Sequence, residues 1–586
     1  MSAEKLITDH IDIWTSAVQA KSASGRGSSK KRELYGIKKL RELILELAVR
    51  GKLVPQDPSD EPASVLLERI VAEKAQLVKD RKLKKQKPLP KVEDDEYLFE
   101  LPKGWAWTRL GNISEIAPKN AQSEDDDSVS FVPMPLISTS YKGTHSFEER
   151  KWVEVKKGYT HFADGDIAIA KITPCFENSK AAVFSGLING VGTGTTELHV
   201  ARPIEGTLDP LFILLYLKSP MFLKVGETKM TGSAGQKRVP KDFFAGNPLP
   251  FPPLAEQHRI VAKVDELMAL CDQLEQQTEA SLDAHQVLVE TLLATLTNSQ
   301  DATELMENWA RISEHFDTLF TTEASIDQLK QTILQLAVMG KLVPQDPNDE
   351  PAAKLLERIA EHQALRVKNK EIQKPKSISV DNNLDLNLPR SWHSVLLNDL
   401  VFVTKLAGFE YTKYFQLKEE GDVAVIRAQN VRPFFPDLDN LKFIDEDTSL
   451  MLPRSALDRP ALLVTFIGAG IGDVCVFDRK ERWHLAPNVA KVEPFADLNI
   501  DYLCLYLNSP TGRKELFKSI KSTAQPSLSM TTIREIWIAL PPLEEQKRIV
   551  RKFVELNELC EQLKQRLRDS QQNQLQLTDA IVEQAL

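Results

Sequence analysis

Cysteine is scarce in this chain of 586 residues, and long apolar runs are missing altogether. The five cysteines, at positions 175, 271, 475, 504 and 560, form no C-x-x-C pair, which argues against a disulfide framework and a zinc site. No apolar run approaches the roughly 18 residues that a membrane span requires. The first ten residues are polar and lack a secretory pattern. The composition therefore predicts a cytoplasmic protein without a membrane partner.

The net charge and the lack of nucleotide-binding motifs also limit the functions that this chain can have. A net charge of −9 disfavours a protein that coats nucleic acid by charge alone, although local basic patches still supply phosphate contacts. The sequence has no Gly-x-x-x-x-Gly-Lys-Ser/Thr motif, so it indicates no ATP chemistry in this chain. The glycine-rich segment 468–472 lies between two strand-like runs, where a dinucleotide fingerprint needs a following helix. It therefore predicts a hairpin turn.

Two blocks of sequence occur twice at one offset. Leu47–Ala63, LAVRGKLVPQDPSDEPA, returns at Leu336–Ala352 as LAVMGKLVPQDPNDEPA, and 336 − 47 is 289. Pro252–Lys263 returns at Pro541–Lys552, and 541 − 252 is again 289. The sequence between the blocks differs, and the chain is too long for one core. These observations predict a duplicated frame that carries two different inserts.

The repeats divide the chain into helical frame segments and inserts. Each insert mixes short β-branched runs, glycine-rich turns and an apolar helix, which predicts a mixed α/β domain. The segment 298–324 shows no clear core pattern and joins the two halves. The predicted boundaries are 1–33 for an N-terminal extension and linker, 34–96 for the first frame segment, 97–250 for the first insert, 251–384 for a spacer helix with the second frame copy, 385–539 for the second insert, and 540–586 for a C-terminal spacer helix.

Apolar residues at alternating four- and three-residue spacing follow the second block in each copy. This heptad pattern predicts that the two spacer helices form a coiled coil. Cys271 and Cys560 are equivalent in the repeat and are predicted to be small buried residues. The predicted apolar seam consists of Ile260, Val264, Leu267, Leu274, Leu288 and Leu292 in the first helix and Ile549, Phe553, Leu556, Leu563, Leu577 and Ile581 in the second.

Both inserts concentrate side chains that read guanine and adenine edges through paired hydrogen bonds. Any one of these residues is as well explained by a polar surface loop, but their clustering in both inserts favours DNA contact. The candidates are Lys171, Thr173, Asn178, Lys180, Gln236, Lys237 and Arg238 in the first insert and Arg427, Gln429, Asn430, Arg432, Gln525 and Ser527 in the second.

Two other functions compete with DNA recognition. Glu154-Val155-Lys156 has the Glu-x-Lys form of metal-dependent nucleases, with acidic residues 125–127 upstream. The tripeptide is common by chance and the second insert has nothing comparable, so a solvated face is favoured and no metal site is predicted. The other competitor is a duplicated scaffold whose inserts bind proteins.

The duplicated blocks around variable inserts resemble the specificity subunit of type I restriction-modification enzymes, and the long frame helices and chain length resemble its type IB members. The match covers nearly the whole chain from about Leu34. The resemblance implies a non-catalytic subunit whose inserts are target-recognition domains, each reading one half of a bipartite asymmetric sequence in double-stranded DNA. It implies an α+β fold in which the two domains are separated by a long antiparallel, pseudo-twofold helical coiled coil.

The resemblance also implies partners. Two modification subunits, which bind S-adenosylmethionine and methylate adenine, are expected to assemble around the spacer. Two restriction subunits are expected to add ATP- and Mg-dependent translocation and cleavage. No cofactor is expected in this chain itself.

Overall fold

The computed structural model describes residues 3–20, 32–83, 88–120, 124–233, 235–375, 378, 387–468, 470–518 and 527–586. The chain divides into two compact units, the first being Met1–Ser281 with Ser570–Leu586 and the second Leu282–Asp569. Among the described residues, no helix combines the length and apolar character that a membrane crossing requires.

The first unit contains nine helices within its described part and the start of a long tenth. The helices are α1 (Ala3–Asp9), α2 (Ile11–Ser16), α3 (Tyr35–Val49), α4 (Ala63–Lys79), α5 (Leu110–Ile113), α6 (Trp152–Val155), α7 (Pro210–Lys218), α8 (Pro220–Lys229), α9 (Lys241–Gly246) and α10 (Leu254–Asn298). Its strands are β1 (Gln19–Ala20), β2 (Arg32–Glu33), β3 (Ala106–Arg109), β4 (Ser114–Ile116), β5 (Ser128–Val132), β6 (Glu148–Lys151), β7 (Thr160–Ala163), β8 (Ile167–Ala170), β9 (Ala181–Val183), β10 (Val191–Gly194), β11 (Leu198–Pro203) and β12 (Pro248–Phe251).

The second unit takes up the end of α10 and most of the last helix. Its helices are α11 (Ala302–Glu314), α12 (Phe316–Leu319), α13 (Glu323–Val338), α14 (Ala352–Lys368), α15 (Leu397–Leu400), α16 (Gly408–Tyr414), α17 (Glu446–Met451), α18 (Ile500–Asn508), α19 (Pro510–Phe517), α20 (Met530–Arg534) and α21 (Leu543–Ala585). Its strands are β13 (His393–Leu396), β14 (Val401–Lys405), β15 (Val423–Ile426), β16 (Lys442–Ile444), β17 (Ala456–Leu457), β18 (Ala461–Thr465), β19 (Val474–Phe477), β20 (Trp483–Leu485), β21 (Val489–Pro494) and β22 (Trp537–Leu540).

The two inserts share one sheet topology, although their residues differ. In the first, the strand orders are β4-β11-β8-β9 and β6-β5-β10-β7, and β12 pairs with β3. In the second, the orders are β14-β21-β18-β19 and β16-β15-β20-β17, and β13 pairs with β22. The pair β5 and β10 is parallel, as is the pair β15 and β20. The prediction of two mixed α/β domains is confirmed, and so is the hairpin turn between β18 and β19.

Glycine ends the first frame helix in both copies. Gly51 follows α3 with φ +68°, and Gly340 follows α13 with φ +71°, a conformation in which glycine carries no steric penalty. A Cβ atom on Gly51 would stand 2.5 Å from the Pro102 Cγ atom, and one on Gly340 would stand 2.6 Å from the Pro389 Cγ atom. These glycines therefore let the frame pack closely against the start of each insert.

Within the second unit, α13 packs against both long helices and shows their directions. Rising residue numbers on α13 meet falling numbers on α21, through the ion pairs Lys330–Glu561, Asp327–Lys564 and Glu323–Arg568. Helix α13 and the end of α10 run in the same direction. Gln328 donates to Glu290, and farther along both segments Lys341 donates to the Thr297 carbonyl oxygen. The end of α10 is therefore antiparallel to α21 in this unit, as predicted.

The first unit repeats these contacts at the offset of 289. Arg41 pairs with Asp272 of α10 at 2.6 Å, at the positions equivalent to Lys330 and Glu561. The Lys52 ammonium donates to the Leu586 carbonyl oxygen at 2.5 Å, which is the equivalent of the contact from Lys341 to Thr297. Each unit is thus completed by the end of the long helix that begins in the other copy.

The buried stripe of the long helices drifts away from the predicted heptad seam. Ile260, Val264, Leu267, Cys271 and Leu274 of α10 are buried, as are Ile549, Phe553, Cys560 and Ile581 of α21. Leu292, Leu556 and Leu563 are half-buried. The predicted seam residues Leu288 and Leu577 are instead 49% and 48% exposed.

The exposure of Leu288 and Leu577 follows from the period of a straight α-helix. Val289, Leu293 and Leu296 are buried where α10 ends, and Thr578 takes the place of Leu577 in α21. Leu296 follows Ile260 by 296 − 260, or 36 residues, which is ten turns at 3.6 residues per turn. A strict heptad repeat averages 3.5 residues and falls behind a straight helix by ~20° per heptad. The stripe therefore moves by one residue over the length of the helix.

The segment 298–324, for which no core pattern was predicted, forms helices that pack on the frame. Ile312, Leu319 and Phe320 join the same core as Ile326 and Leu329 of α13. The start of the chain packs on α3 in a similar way. Trp14 is fully buried, and a Cβ atom on Gly36 of α3 would stand 2.3 Å from the Trp14 carbonyl oxygen.

Candidate nucleic-acid interface

Backbone hydrogen bonds join the two predicted loops of the first insert. The Thr173 N–H donates to the Lys237 carbonyl oxygen at 3.0 Å, and the Val239 N–H donates to the Lys171 carbonyl oxygen at 2.8 Å. One loop follows β8 and the other precedes α9, so residues distant in sequence form a single surface. We call residues 171–180 and 231–239, without Ala234, the first loop edge.

Side chains of the first loop edge differ in their freedom to contact a ligand. Asn178, Gln236 and Lys237 are exposed, and Lys171 is half-buried. Three others have partners within the domain. Lys180 donates to the Met134 carbonyl oxygen at 2.9 Å, Thr173 donates to Glu177 at 3.3 Å, and Arg238 forms two hydrogen bonds of 2.9 Å with Glu197.

Cations outnumber carboxylates at the first loop edge. His199 stacks on Phe244 and donates through Nε2 to the Val239 carbonyl oxygen at 2.9 Å. Burial lowers the pKa of His199, and the nearby cations Lys171 and Lys241 lower it further. The hydrogen bonds from Arg238 likewise hold the pKa of Glu197 below its ordinary value. Arg238 therefore compensates Glu197, whereas Glu177 is exposed and accepts a hydrogen bond from Thr173. Lys237 faces solvent.

A buried lysine supports the first loop edge from below. The Lys218 ammonium, 3% exposed, donates to the Ser179 carbonyl oxygen at 2.6 Å. Burial lowers its pKa to about 7. In the second insert Asn508 takes this place and donates to the Val474 carbonyl oxygen at 2.9 Å. The two domains therefore anchor the chain near the start of the equivalent strands β9 and β19 with different chemistry.

Lys218→Asn is expected to change how stability depends on pH. Because the folded pKa lies below the ordinary value of 10.5, the folded wild type binds fewer protons than the unfolded chain between about pH 7 and 10. Its thermal midpoint should rise relative to that of the variant over this range, by roughly 5 °C. Melting curves of both proteins at pH 6, 8 and 9.5 measure the difference, and parallel pH profiles would contradict the prediction.

The second insert brings the equivalent loops together. Ile467 pairs with Ser527, and the Leu528 N–H donates to the Phe466 carbonyl oxygen at 2.9 Å. Ser527 is exposed, and the Lys405 ammonium lies 4.8 Å from the Phe466 ring centre. Gln525, which was predicted to contact DNA, lies outside the described residues. We call residues 466–473, without Ala469, and 527–529 the second loop edge.

The predicted cluster at 427–432 lies in the loop after β15, which reaches the start of β19 through a hydrogen bond from the Phe434 N–H to the Val474 carbonyl oxygen. Its side chains are largely occupied. The Arg427 guanidinium donates to the Asn440 carbonyl oxygen, and Arg432 pairs with Asp437 at 3.5 Å. Asn430 is 1% exposed, and its amide donates to the carbonyl oxygens of Asp437 and Asp439. Its side chain holds the loop together, whereas the neighbouring Gln429 is exposed. Of this set, Gln429 is therefore the side chain best placed to meet DNA.

The loops that follow β5 and β15 contact the long helices, which the sequence did not reveal. In the first unit, Lys142 pairs with Asp265 of α10 at 3.8 Å, and burial, with a hydrogen bond to Asp265, raises the pKa of Tyr141. In the second, Phe434 stacks on Phe553 of α21 with 5.5 Å between ring centres. Phe553 is equivalent to Val264, the neighbour of Asp265. In the sequence, the only sign of this shared contact was that the helix residues involved, Asp265 and Phe553, occupy neighbouring positions of the repeat.

The duplicated motifs meet at the junction of frame, insert and long helix. Gln56 donates to Glu256 at 3.2 Å, and Arg259 pairs with Asp60 at 2.6 Å. In the other copy Gln345 donates to Glu545 at 2.6 Å, and Arg548 pairs with Asp349 at 2.5 Å. Burial raises the pKa of Glu256 and of Glu545. The repeated sequence is thus explained by a repeated polar junction that fixes each insert to its helix.

The residues of the nuclease alternative do not assemble. Glu154 is exposed on α6, and Lys156 is bonded to Asp125 at 2.5 Å. Within the described ranges, no group of three His, Cys, Asp or Glu residues is arranged to hold a metal ion. The nuclease interpretation is not favoured.

One family model and several known proteins are similar to this chain. The model of the type I restriction modification DNA specificity domain matches residues 102–284 and 389–570. The EcoAI specificity subunit of a type I restriction enzyme from Escherichia coli is 52% identical over the full length of both chains, and the EcoEI specificity subunit from the same species is 51% identical over the full length of both. The crystal structure of the HsdS subunit from Thermoanaerobacter tengcongensis is 18% identical, covers 84% of this chain and 98% of its own, and has a TM-score of 0.43.

Proposed function

The chain belongs to the type I restriction modification DNA specificity family, and from this premise we propose that each of its two α/β domains reads one half of a bipartite DNA sequence. The observation that carries the proposal is one topology used twice with different loop residues. A shared scaffold with different side chains at the same edge is what recognition of two unlike half-sites requires.

The chemistry is assigned to partner subunits. We propose that this chain carries no active site of its own and directs modification subunits that bind S-adenosylmethionine and methylate adenine. Restriction subunits would use ATP and Mg to translocate and cleave DNA. Two copies of each are expected, because the frame repeats the same contacts in both units and so offers each type of partner two equivalent surfaces.

Selection from a random DNA pool tests this function. The full chain with its modification partner should enrich two unlike half-sites at one fixed separation. A chimeric protein provides a second test, in which residues 389–540 are replaced by a second copy of residues 102–251. The exchange is compatible with the fold because β3 pairs with β12 at the ends of the first insert, as β13 pairs with β22 at the ends of the second. Because the frame is antiparallel, this chain should enrich the first half-site twice, as an inverted repeat. Enrichment of one continuous site, or of no sequence, would contradict the proposal.

Variants of the first loop edge should separate base reading from phosphate binding. Gln236→Ala is expected to lower discrimination at the first half-site by about 1–3 kcal/mol, because glutamine can pair with adenine through two hydrogen bonds. Lys237→Ala should weaken binding to all sequences alike. Competition binding with cognate and substituted duplexes measures both effects.

Lys157→Ala, an exposed lysine in a different part of the same domain, serves as the control. It should leave discrimination unchanged. Equal discrimination by wild type and Gln236→Ala would remove Gln236 from the readout.

A further inference from the structure

Each copy of the second frame helix ends in a group of exposed cations. Helices α4 and α14 are equivalent in the repeat and have the same length of 17 residues. In a chain with a net charge of −9, these ends are local concentrations of positive charge. The exposed cations are Lys79, Arg81 and Lys82 at the end of α4 and Lys368, Lys370 and Lys374 at the end of α14.

The backbone at both ends adopts a conformation that favours glycine. Arg81 has φ +58° and Lys370 has φ +60°, and 370 − 81 is 289. Each helix closes with the same hydrogen bond, from Lys82 N–H to the Leu77 carbonyl oxygen at 2.9 Å and from Glu371 N–H to the Arg366 carbonyl oxygen at 3.0 Å. Glycine would end these helices without the strain that a side chain brings there. Both copies nevertheless keep a long cation, which points to a use for the charge.

Packing in the second unit directs the end of α14 toward the second loop edge. His362 accepts a hydrogen bond from the Ala496 N–H at 3.1 Å, and one turn later Arg366 donates to Glu493 at 3.2 Å. Ala496 follows the end of β21 and Glu493 lies within it, so α14 runs toward the start of this strand. There Val489 pairs with Thr465, the last residue before the second loop edge. The cations after Arg366 therefore lie on the loop-edge side of the sheet.

The first unit has the same arrangement. The Lys74 ammonium of α4 donates to the carbonyl oxygens of Gly111, Asn112 and Ser114, at the start of β4. Helix α4 packs on α5 as α14 packs on α15. By the equivalence of the copies, the end of α4 belongs on the side of the first loop edge.

We propose that these two basic helix ends bind DNA phosphates beside each half-site and contribute affinity without reading bases. The inference rests on the proposed function, because it requires duplex DNA at the loop edges. Lys binds phosphate as a point charge and Arg binds it through paired N–H donors, and both contacts are independent of base sequence. The division of labour follows: the loop edges discriminate between sequences, and the helix ends hold the backbone.

The test neutralises one helix end in the full chain with its modification partner. The variant Lys368→Gln, Lys370→Gln, Lys374→Gln should bind cognate and random duplexes about tenfold more weakly at ~0.1 M salt, with an unchanged ratio between them. The slope of log affinity against log salt should become shallower by about 2 to 3, since each lost phosphate contact contributes ~0.9.

A matched control carries the same change in net charge. Lys354 and Lys547 are exposed, Lys552 is half-buried, and each pairs with a glutamate three residues away. Replacing these three by Gln should alter neither affinity nor salt slope. An unchanged slope in the helix-end variant would overturn the proposal, and so would a fall in the ratio of cognate to random binding, because the helix ends would then be reading bases.

Lys370→Gly distinguishes phosphate binding from a purely structural role. Glycine adopts φ +60° without strain, so the thermal midpoint should stay the same or rise while DNA affinity falls by a few-fold. A lower midpoint with unchanged affinity would assign Lys370 to the stability of the helix end and overturn the proposal. Failure of the wild type to select any bipartite sequence refutes the proposed function itself, and this outcome is separate from the variant comparisons.

Discussion

A chain with four residues inserted into each long helix is expected to select half-sites about two base pairs farther apart. The insertions follow Ser281 in α10 and Ser570 in α21, which are repeat equivalents within one residue of the boundary between the units. Four residues add ~6 Å of helix and ~40° of rotation. Two base pairs of B-DNA add ~7 Å and ~70°, so the helix and the duplex stay nearly in phase. Every contact of α3 and α13 with the long helices is left in place.

A shorter insertion provides the control for this experiment. Two residues at the same positions add ~3 Å but rotate the following helix by ~200°, which turns its buried stripe toward the opposite side. This protein should lose selective binding at every separation. Sequencing of selected DNA gives the result directly. Retention of the parental separation by the four-residue variant would show that the long helices do not determine it.

Glu493→Ala is expected to destabilise the second unit by about 3–5 kcal/mol. Glu493 is 4% exposed and joins Lys491, at 2.7 Å, to Arg366 of α14, at 3.2 Å. Burial opposes its ionisation, but Lys491 and Arg366 outweigh burial and hold its pKa below the ordinary value. Removing the carboxylate leaves the Lys491 ammonium, 3% exposed, without its counter-charge. A buried, unpaired cation is costly because water no longer solvates it.

The exposed pair of Lys418 and Asp445 offers the comparison for Glu493→Ala. Its side chains are 46% and 53% exposed, so Asp445→Ala should cost less than about 1 kcal/mol. Urea unfolding of both variants, followed by tryptophan fluorescence, measures their free energies of unfolding. Similar midpoints for the two variants would show that the network at Glu493 contributes little to stability, and that its cations find other partners or water.

Much of the frame follows from sequence because it depends on local rules and on duplication. The spacing of Ile37, Leu40 and Ile44 predicts α3, and Gly51 predicts its end, since both are properties of a single helix. A single copy of the block at 47–63 would have been weak evidence for a structural unit, but its recurrence at 336–352 identified it as one. The seam was less predictable: a difference of 0.1 residue per turn is invisible over two heptads and decides whether Leu288 or Val289 is buried.

The candidate interface was only partly predictable for a different reason. Residue type identified Lys171, Gln236 and Lys237 as capable of contacting DNA, and the structure places them on one surface. The same argument selected Asn430, which is buried and bonded to its own loop. Side-chain chemistry is the same in both cases, and exposure depends on chain segments far away in sequence.

By itself, the sequence determined the duplicated frame, the two mixed α/β inserts, the positions of the long helices and the family to which the chain belongs. These features arise from periodicity, glycine positions and repeated blocks, all of which act over a few turns or are copied whole. Tertiary structure alone decided which polar side chains face solvent, that each unit is completed by the end of the other copy's helix, and that α14 points its cations toward a loop edge. Those features depend on strand pairing and helix packing across tens to hundreds of residues, where no local pattern carries the information.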